Sequence, residues 1–315
     1  MVDTLPNALQ LCPFSPAMEA MLGRRLSIIR WFELDTEEQA QWLASYADQV
    51  RVVVTGGHIG CPAELMCALP GLQLVAINGV GFDKVDLALA RQRGVRVSTT
   101  PGTLTDDVAD LAVGLIIAQF RRIPAADRHV RNGAWPGGEM PLARKVTGSR
   151  FGILGLGNIG GAVADRLRAF GEVAYSARSD RGNGMAYLAD PVELARWADV
   201  LVVACAATEE TRNLVDAVVL AALGPRGVLV NVSRGSVVDE AALIAALEGG
   251  TIEGAALDVF ADEPRVPDAL RAAPNTVLTP HVASATAETR QAMADLVVAN
   301  IDAVLAGTPL PSAIA

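Results

Sequence analysis

Phe151-Gly152-Ile153-Leu154-Gly155-Leu156-Gly157-Asn158-Ile159-Gly160 is the stretch on which the fold turns. Its apolar opening suits a short buried strand, and residues 162–170 carry an amphipathic helical pattern. Between them stands a G-x-G-x-x-G loop. Its glycines allow a tight turn, close approach of backbone to a pyrophosphate, and close packing of helix on strand. The helix N-terminus adds unpaired N–H groups and partial positive charge. Glycine spacing alone is a weak signal, but strand and helix on either side make it a dinucleotide-binding signal. Contacts are expected at Gly155, Gly157, Asn158, Ile159 and Gly160.

Outward from this loop the chain alternates. Downstream, strands are expected at 173–176, 200–204, 227–232, 254–259 and 276–278, with helices at 161–169, 191–197, 216–223 and 240–248. With 151–154 that is a doubly wound parallel sheet. Upstream, short runs at 26–31, 51–55, 72–78 and 95–98 alternate with helical patterns at 37–46, 62–69 and 85–93. These runs are apolar throughout, as strands buried on both faces are. Thr100-Pro101-Gly102 marks a turn before a long helical pattern at 103–120, and a last helix at 285–305 has no strand after it. That helix is expected to pack back on the first domain. The reading is an α/β chain of two doubly wound parallel-sheet domains: residues 1–99 plus 286–315 for the substrate, and 100–285 for the dinucleotide.

Composition narrows the function. The chain has 315 residues, 51% hydrophobic and 19% charged, so a sizeable core forms and disorder is excluded as its main state. Aromatics are 4% and the net charge is −9, which excludes a general nucleic-acid surface. No run reaches the ~18 apolar residues of a membrane span. Asp3 stands where a secretory leader would carry basic residues, so no such leader is expected. Cys12, Cys61, Cys67 and Cys205 form no C-x-x-C pair and no ligand cluster with the three histidines. They are expected to be small buried residues of a reduced cytoplasmic protein, with no metal.

The end of the second strand selects the dinucleotide. A carboxylate for the ribose 2′-OH usually stands about 20 residues after the first glycine. Here the chain reads Tyr175-Ser176-Ala177-Arg178-Ser179, with no carboxylate at Ser176. Ser176, Arg178 and Ser179 suit a 2′-phosphate, which Arg178 can bind bidentately, although Asp180 stands close enough to repel it. NADP(H) is preferred, with NAD(H) as the alternative. Three later segments then bring ionisable groups to strand ends: Asn231-Val232-Ser233-Arg234-Gly235, Asp258 to Pro264, and Thr279-Pro280-His281-Val282-Ala283-Ser284.

Together with Asn78-Gly79-Val80-Gly81-Phe82-Asp83-Lys84-Val85-Asp86 and Thr100-Pro101-Gly102 followed by Asp106-Asp107-Val108-Ala109-Asp110, these segments resemble the D-isomer-specific 2-hydroxyacid dehydrogenases over nearly the whole chain. The Ser-Arg-Ser loop is most like the glyoxylate/hydroxypyruvate reductases. The resemblance implies a flavodoxin-like substrate domain, a Rossmann cofactor domain and an interdomain cleft that closes on a small 2-oxo acid, in a homodimer. It implies that Arg234 binds the substrate carboxylate and polarises the keto oxygen. His281 exchanges the proton with that oxygen, and Glu263 orients His281. Val80 and Gly81 N–H groups hold the carboxylate. Asp258 lies near the nicotinamide carboxamide, with Val232 lining the same pocket. Ala206 stands where many members carry Pro, and Glu263 argues against formate as substrate. Corepressors of the C-terminal binding protein type share the fold, so nucleotide-sensed protein binding is the alternative function. An NAD-dependent dehydrogenase of another D-2-hydroxy acid is the other. His58 is expected as an ordinary exposed loop histidine, with a place at the edge of the substrate cleft as the alternative, and His129 as a helix-surface residue. Trp135, in a region resembling the partner-embracing segment, is either an anchor within the subunit or a contributor to its neighbour.

Overall fold

The computed structural model describes residues 5–315. Two compact units emerge, one from the residues up to Leu104 together with Thr286–Ala315, the other from Thr105–Ala285.

The first unit contains β1 (Asn7–Gln10), α1 (Pro16–Gly23), β2 (Ser27–Arg30), α2 (Thr36–Tyr46), β3 (Val50–Gly56), α3 (Ala63–Ala68), β4 (Leu74–Asn78), α4 (Leu87–Gln92) and β5 (Arg96–Ser98). The strands form a parallel sheet in the order β2-β1-β3-β4-β5. β3 and β4 are almost wholly buried, so Val52 and Leu74 pack on one face and Val53 and Val75 on the other. The C-terminal helix (Ala287–Leu305) covers one face through Val297, Val298 and Ile301, as its expected return to this domain requires. The chain end then pairs with β5: the Ile314 N–H donates to the Val97 carbonyl, and the Val97 N–H to that of Ala315. β1 and α1 lie outside the elements read from the sequence. Asn7-Ala8-Leu9-Gln10 has no β-branched residue, yet it sits between β2 and β3 because Ala8 and Leu9 are fully buried.

The second unit contains α5 (Thr105–Phe120), α6 (Ile123–Arg131), β6 (Arg150–Leu154), α7 (Asn158–Leu167), β7 (Glu172–Ser176), β8 (Ala186–Tyr187), α8 (Pro191–Trp197), β9 (Val200–Val203), α9 (Ala217–Leu223), β10 (Val228–Asn231), α10 (Glu240–Glu248), β11 (Gly254–Leu257), α11 (Asp268–Ala272) and β12 (Thr276–Leu278). All its strands are parallel, in the order β12-β11-β10-β9-β6-β7-β8. β9, β10 and β11 are buried along their whole length, which is why they read as continuous apolar runs. Strand order reverses between β6 and β9, and ligands of open α/β sheets bind at such a point, beyond the carboxyl ends of the strands. β8 and α11 were not legible as elements, α6 supplies the helix expected around His129, and α7 begins three residues earlier than its apolar periodicity indicated. Cys67 corrects another expectation: it is exposed, because it lies on the outer side of the short α3, whereas Cys12 and Cys61 are buried.

Candidate active site and dinucleotide cradle

The three glycines of the β6–α7 loop stand in three different environments. A Cβ on Gly155 would lie 2.4 Å from the Cys205 Cα, and the residue has φ +98°, so the loops after β6 and β9 touch only through glycine. A Cβ on Gly160 would lie 1.9 Å from the Gly155 carbonyl oxygen, which sets how closely α7 packs on β6. Gly157 differs. Its φ of −87° and ψ of −161° suit any residue, and a Cβ there would meet nothing within 4 Å. Nothing in the protein demands glycine at 157, and the space beside its Cα is open. No side chain caps α7, so its N-terminal N–H groups have no capping side-chain acceptor. The residues present fit a dinucleotide pyrophosphate.

At the end of β7, Arg178 and Ser179 are exposed beyond the strand. Ser176 is not available as expected: it is 4% exposed, and its hydroxyl donates to the Ala189 carbonyl at 3.0 Å. The reason is tertiary, since the returning segment before α8 offers that carbonyl against the strand end. The Ser176 carbonyl in turn accepts the Gly155 N–H at 2.8 Å, tying β7 to the glycine loop. Asp180, which the sequence placed as a possible repeller of phosphate, is held by Tyr175, whose hydroxyl donates to its Oδ1 at 2.6 Å.

Beyond β10, β11 and β12 the unit gathers an arginine, a glutamate and a histidine. Arg234 directly follows the β10 turn, in which the Asn231 amide donates to the Arg234 carbonyl at 2.9 Å. Gly235 explains how this turn reaches the next one, since a Cβ there would lie 1.9 Å from the Phe260 carbonyl carbon. His281 Nδ1 and Glu263 Oε2 are 2.7 Å apart, with both side chains partly exposed. The Phe260 N–H donates to the other Glu263 oxygen at 3.0 Å. Burial raises the Glu263 carboxyl, but His281, the Phe260 N–H and the Arg234 charge together outweigh it and hold the group below its ordinary range. An apolar cavity of about 290 Å³ lies beside the pair, lined by Phe260, Pro264, Val266, Leu278 and Pro280.

Asp258 is fully buried and anchors the histidine. Its carboxylate accepts the Val282 N–H at 2.9 Å, the Ala283 N–H at 3.0 Å and the Thr279 hydroxyl at 2.6 Å. Its carbonyl accepts the His281 N–H at 2.8 Å. This grip holds His281 at φ +53°, a conformation a free histidine seldom adopts. Asp258, expected near the nicotinamide carboxamide, also anchors the turn that carries His281. Val232, directly after β10, is buried at 6% exposure.

In the first unit, Val80 and Gly81 are half-buried in the loop after β4. The Gly79 carbonyl accepts the Thr100 N–H at 2.8 Å, and the Gly57 nitrogen lies 3.5 Å from where a Gly79 Cβ would be. The loop after β3 thus packs against the Val80 loop, and His58, exposed in that loop, folds its ring over Gly56. His129 lies on α6, and Trp135 follows in a short turn, 66% exposed. Most of the Trp135 surface is therefore not covered within the described residues of this chain. The roles of Tyr175, Gly235 and Thr279 went unread in the sequence; only Gly235, a glycine next to a candidate arginine, carried a visible hint.

A dinucleotide sheet that carries an arginine and a glutamate–histidine pair at its strand ends defines an α/β oxidoreductase. The family model for the D-isomer specific 2-hydroxyacid dehydrogenase NAD binding domain matches residues 113–283. Hydroxyphenylpyruvate reductase of Plectranthus scutellarioides is 48% identical over 306 residues, covering 96% of this chain and 97% of that protein. Glyoxylate/hydroxypyruvate reductase A of Arabidopsis thaliana is 45% identical over 306 residues, with 96% and 97% covered. The crystal structure of an NADPH-dependent glyoxylate/hydroxypyruvate reductase from Sinorhizobium meliloti, in complex with NADP and malonate, matches with a TM-score of 0.90 at 40% identity, covering 99% of this chain and 97% of that one. The chain belongs to the D-isomer specific 2-hydroxyacid dehydrogenase family. Among the described residues, no helix is long and apolar enough to cross a membrane, and no cluster could hold a metal ion.

Proposed function

We propose that the protein reduces a small 2-oxo acid of the glyoxylate or hydroxypyruvate type to the D-2-hydroxy acid, with NADP(H) preferred over NAD(H). The observation that carries this reading is the 2.7 Å contact of Glu263 with His281 at the strand ends of a dinucleotide sheet whose β7 ends in Arg178 rather than a carboxylate. When bound, the cofactor supplies the hydride.

The chain's own groups do the rest. Glu263 engages Nδ1 of His281, so the proton exchanged with substrate is carried on Nε2, across the ring. Glu263 fixes the ring so that Nε2 is the atom that gives a proton to the keto oxygen during reduction. Arg234 binds the substrate carboxylate and stabilises charge developing on that oxygen. In the first unit, the Val80 and Gly81 N–H groups are the candidate donors to the carboxylate. Arg178 and Ser179 bind the 2′-phosphate. Ile123, Val130, Trp135 and Leu142 leave large apolar side chains exposed on and after α6, which supports a homodimer formed through this segment. Four free thiols suit a cytoplasmic setting.

The test is a panel of glyoxylate, hydroxypyruvate, hydroxyphenylpyruvate and 2-ketogluconate with each reduced nicotinamide. Loss of reduced-nicotinamide absorbance, faster with NADPH, is expected for the smaller acids. Arg178→Ala should raise the KM for NADPH and barely change that for NADH. Wild-type preference for NADH would overturn the cofactor reading, and bound cofactor with no turnover of any acid would favour a nucleotide-sensing binding protein.

A further inference from the structure

We infer that Tyr175 is a positioning residue for cofactor selectivity, whose hydroxyl holds the Asp180 carboxylate in its own turn so that Arg178 and Ser179 meet a 2′-phosphate without a competing anion. The inference rests on the reading of Arg178 as the phosphate ligand.

Asp180 lies only two residues beyond Arg178, and a free carboxylate there would harm NADPH binding in either of two ways. It could repel the phosphate, or pair with Arg178 and neutralise the cation meant for it. The structure shows neither. Tyr175 is fully buried at the end of β7, and its hydroxyl donates to Asp180 Oδ1 at 2.6 Å. The same hydroxyl accepts the Arg181 N–H at 2.7 Å, and Asp180 Oδ1 also accepts the Gly182 N–H at 2.9 Å. Among the described residues, Asp180 pairs with neither Arg178 nor Arg181.

The clamp is rigid because its base is packed. The Tyr187 ring lies 5.3 Å from that of Tyr175, and the Tyr187 hydroxyl donates to the Ala177 carbonyl at 3.1 Å. The backbone is therefore fixed just before Arg178 and again at Arg181, leaving Arg178 and Ser179 to project from a pinned loop. The Tyr175 bond also holds the Asp180 carboxyl below its ordinary range, while burial and Asp180 push the phenol up, so donor and acceptor keep these forms at neutral pH.

The experiment measures dissociation constants for 2′,5′-ADP and 5′-AMP by calorimetry, together with kcat/KM for NADPH and NADH. Wild type and Arg178→Ala report on the cofactor reading: wild type should favour 2′,5′-ADP, and the variant should lose that preference. If wild type does not discriminate, the cofactor reading itself fails. Tyr175→Phe and Tyr175→Phe with Asp180→Asn report on the clamp. Tyr175→Phe should weaken 2′,5′-ADP by about five- to tenfold while leaving 5′-AMP unchanged. Adding Asp180→Asn should restore wild-type binding to within about twofold, because the freed charge is gone. Equal weakening of both nucleotides, or no rescue by Asp180→Asn, would show that Tyr175 only packs the strand. Asp180→Asn alone keeps the question open to test if Tyr175→Phe folds poorly. It should leave selectivity unchanged, and a marked gain in 2′,5′-ADP affinity would overturn the clamp.

Discussion

Gly157→Ala should separate binding from folding within one loop. The backbone at 157, with φ −87° and ψ −161°, accepts alanine, and the new methyl meets no protein atom within 4 Å. The cost to stability is that of a poorer helix N-cap, at most about 1 kcal/mol. Binding should suffer more. The methyl stands where a pyrophosphate must approach the α7 N–H groups, and each hydrogen bond to a charged group is worth about 1.5–3 kcal/mol. Loss of one such bond weakens NADPH roughly 10- to 100-fold, at 1.4 kcal/mol per tenfold. Gly160→Ala is the contrasting variant: its methyl would lie 1.9 Å from the Gly155 carbonyl oxygen, so folding pays first, by about 1–3 kcal/mol. The assay is nucleotide binding by calorimetry beside denaturant unfolding for each variant. NADPH affinity of Gly157→Ala within about twofold of wild type would refute the close-approach argument, as would a stability loss matching that of Gly160→Ala.

Glu263→Gln should keep a hydrogen bond to His281 and lose its charge, lowering turnover by about 10²–10⁴-fold with cofactor affinity unchanged, as single-turnover rates and calorimetry would show. Because the Glu263 carboxyl lies below its ordinary range, its stabilising contribution is present above the unfolded value near ~4.3 and is lost as pH falls through the folded value. Acid unfolding of Glu263→Gln should lack that part of the pH dependence. Asp258→Asn leaves one of the Val282 and Ala283 N–H groups facing an amide donor, so about 1–3 kcal/mol of stability should be lost together with turnover. Burial pushes the Cys12 and Cys205 thiols up to about 11 and Cys61 up to about 12, whereas Cys67 is exposed. A thiol reagent at neutral pH should therefore modify one cysteine quickly, and Cys67→Ser should abolish that phase.

Much of the site was legible because its signals are local. The loop glycines, Arg178, Arg234, Glu263 and His281 each sit at the end of an apolar run, where a parallel sheet delivers its ligands. Ser176 misled for a physical reason. Its place in the chain matches the ribose position, but the direction of its hydroxyl depends on Ala189, a carbonyl brought alongside by a two-residue strand with almost no sequence signal. α1 is the instructive omission, since Ser15 followed by Pro16 and Glu19 is a helix start that could have been read.

Sequence alone determined the alternation of strand and helix, the glycine cradle, and the arginine, glutamate and histidine at strand ends. Those features depend on periodicity and on residue types a few positions apart, so they survive without coordinates. Tertiary structure alone decided that Asp258 grips the His281 turn, that Gly235 lets two turns touch, and that Tyr175 rather than open solvent receives Asp180. Each of these depends on which backbone donors and acceptors come within about 3 Å, and strand order and side-chain direction govern that approach.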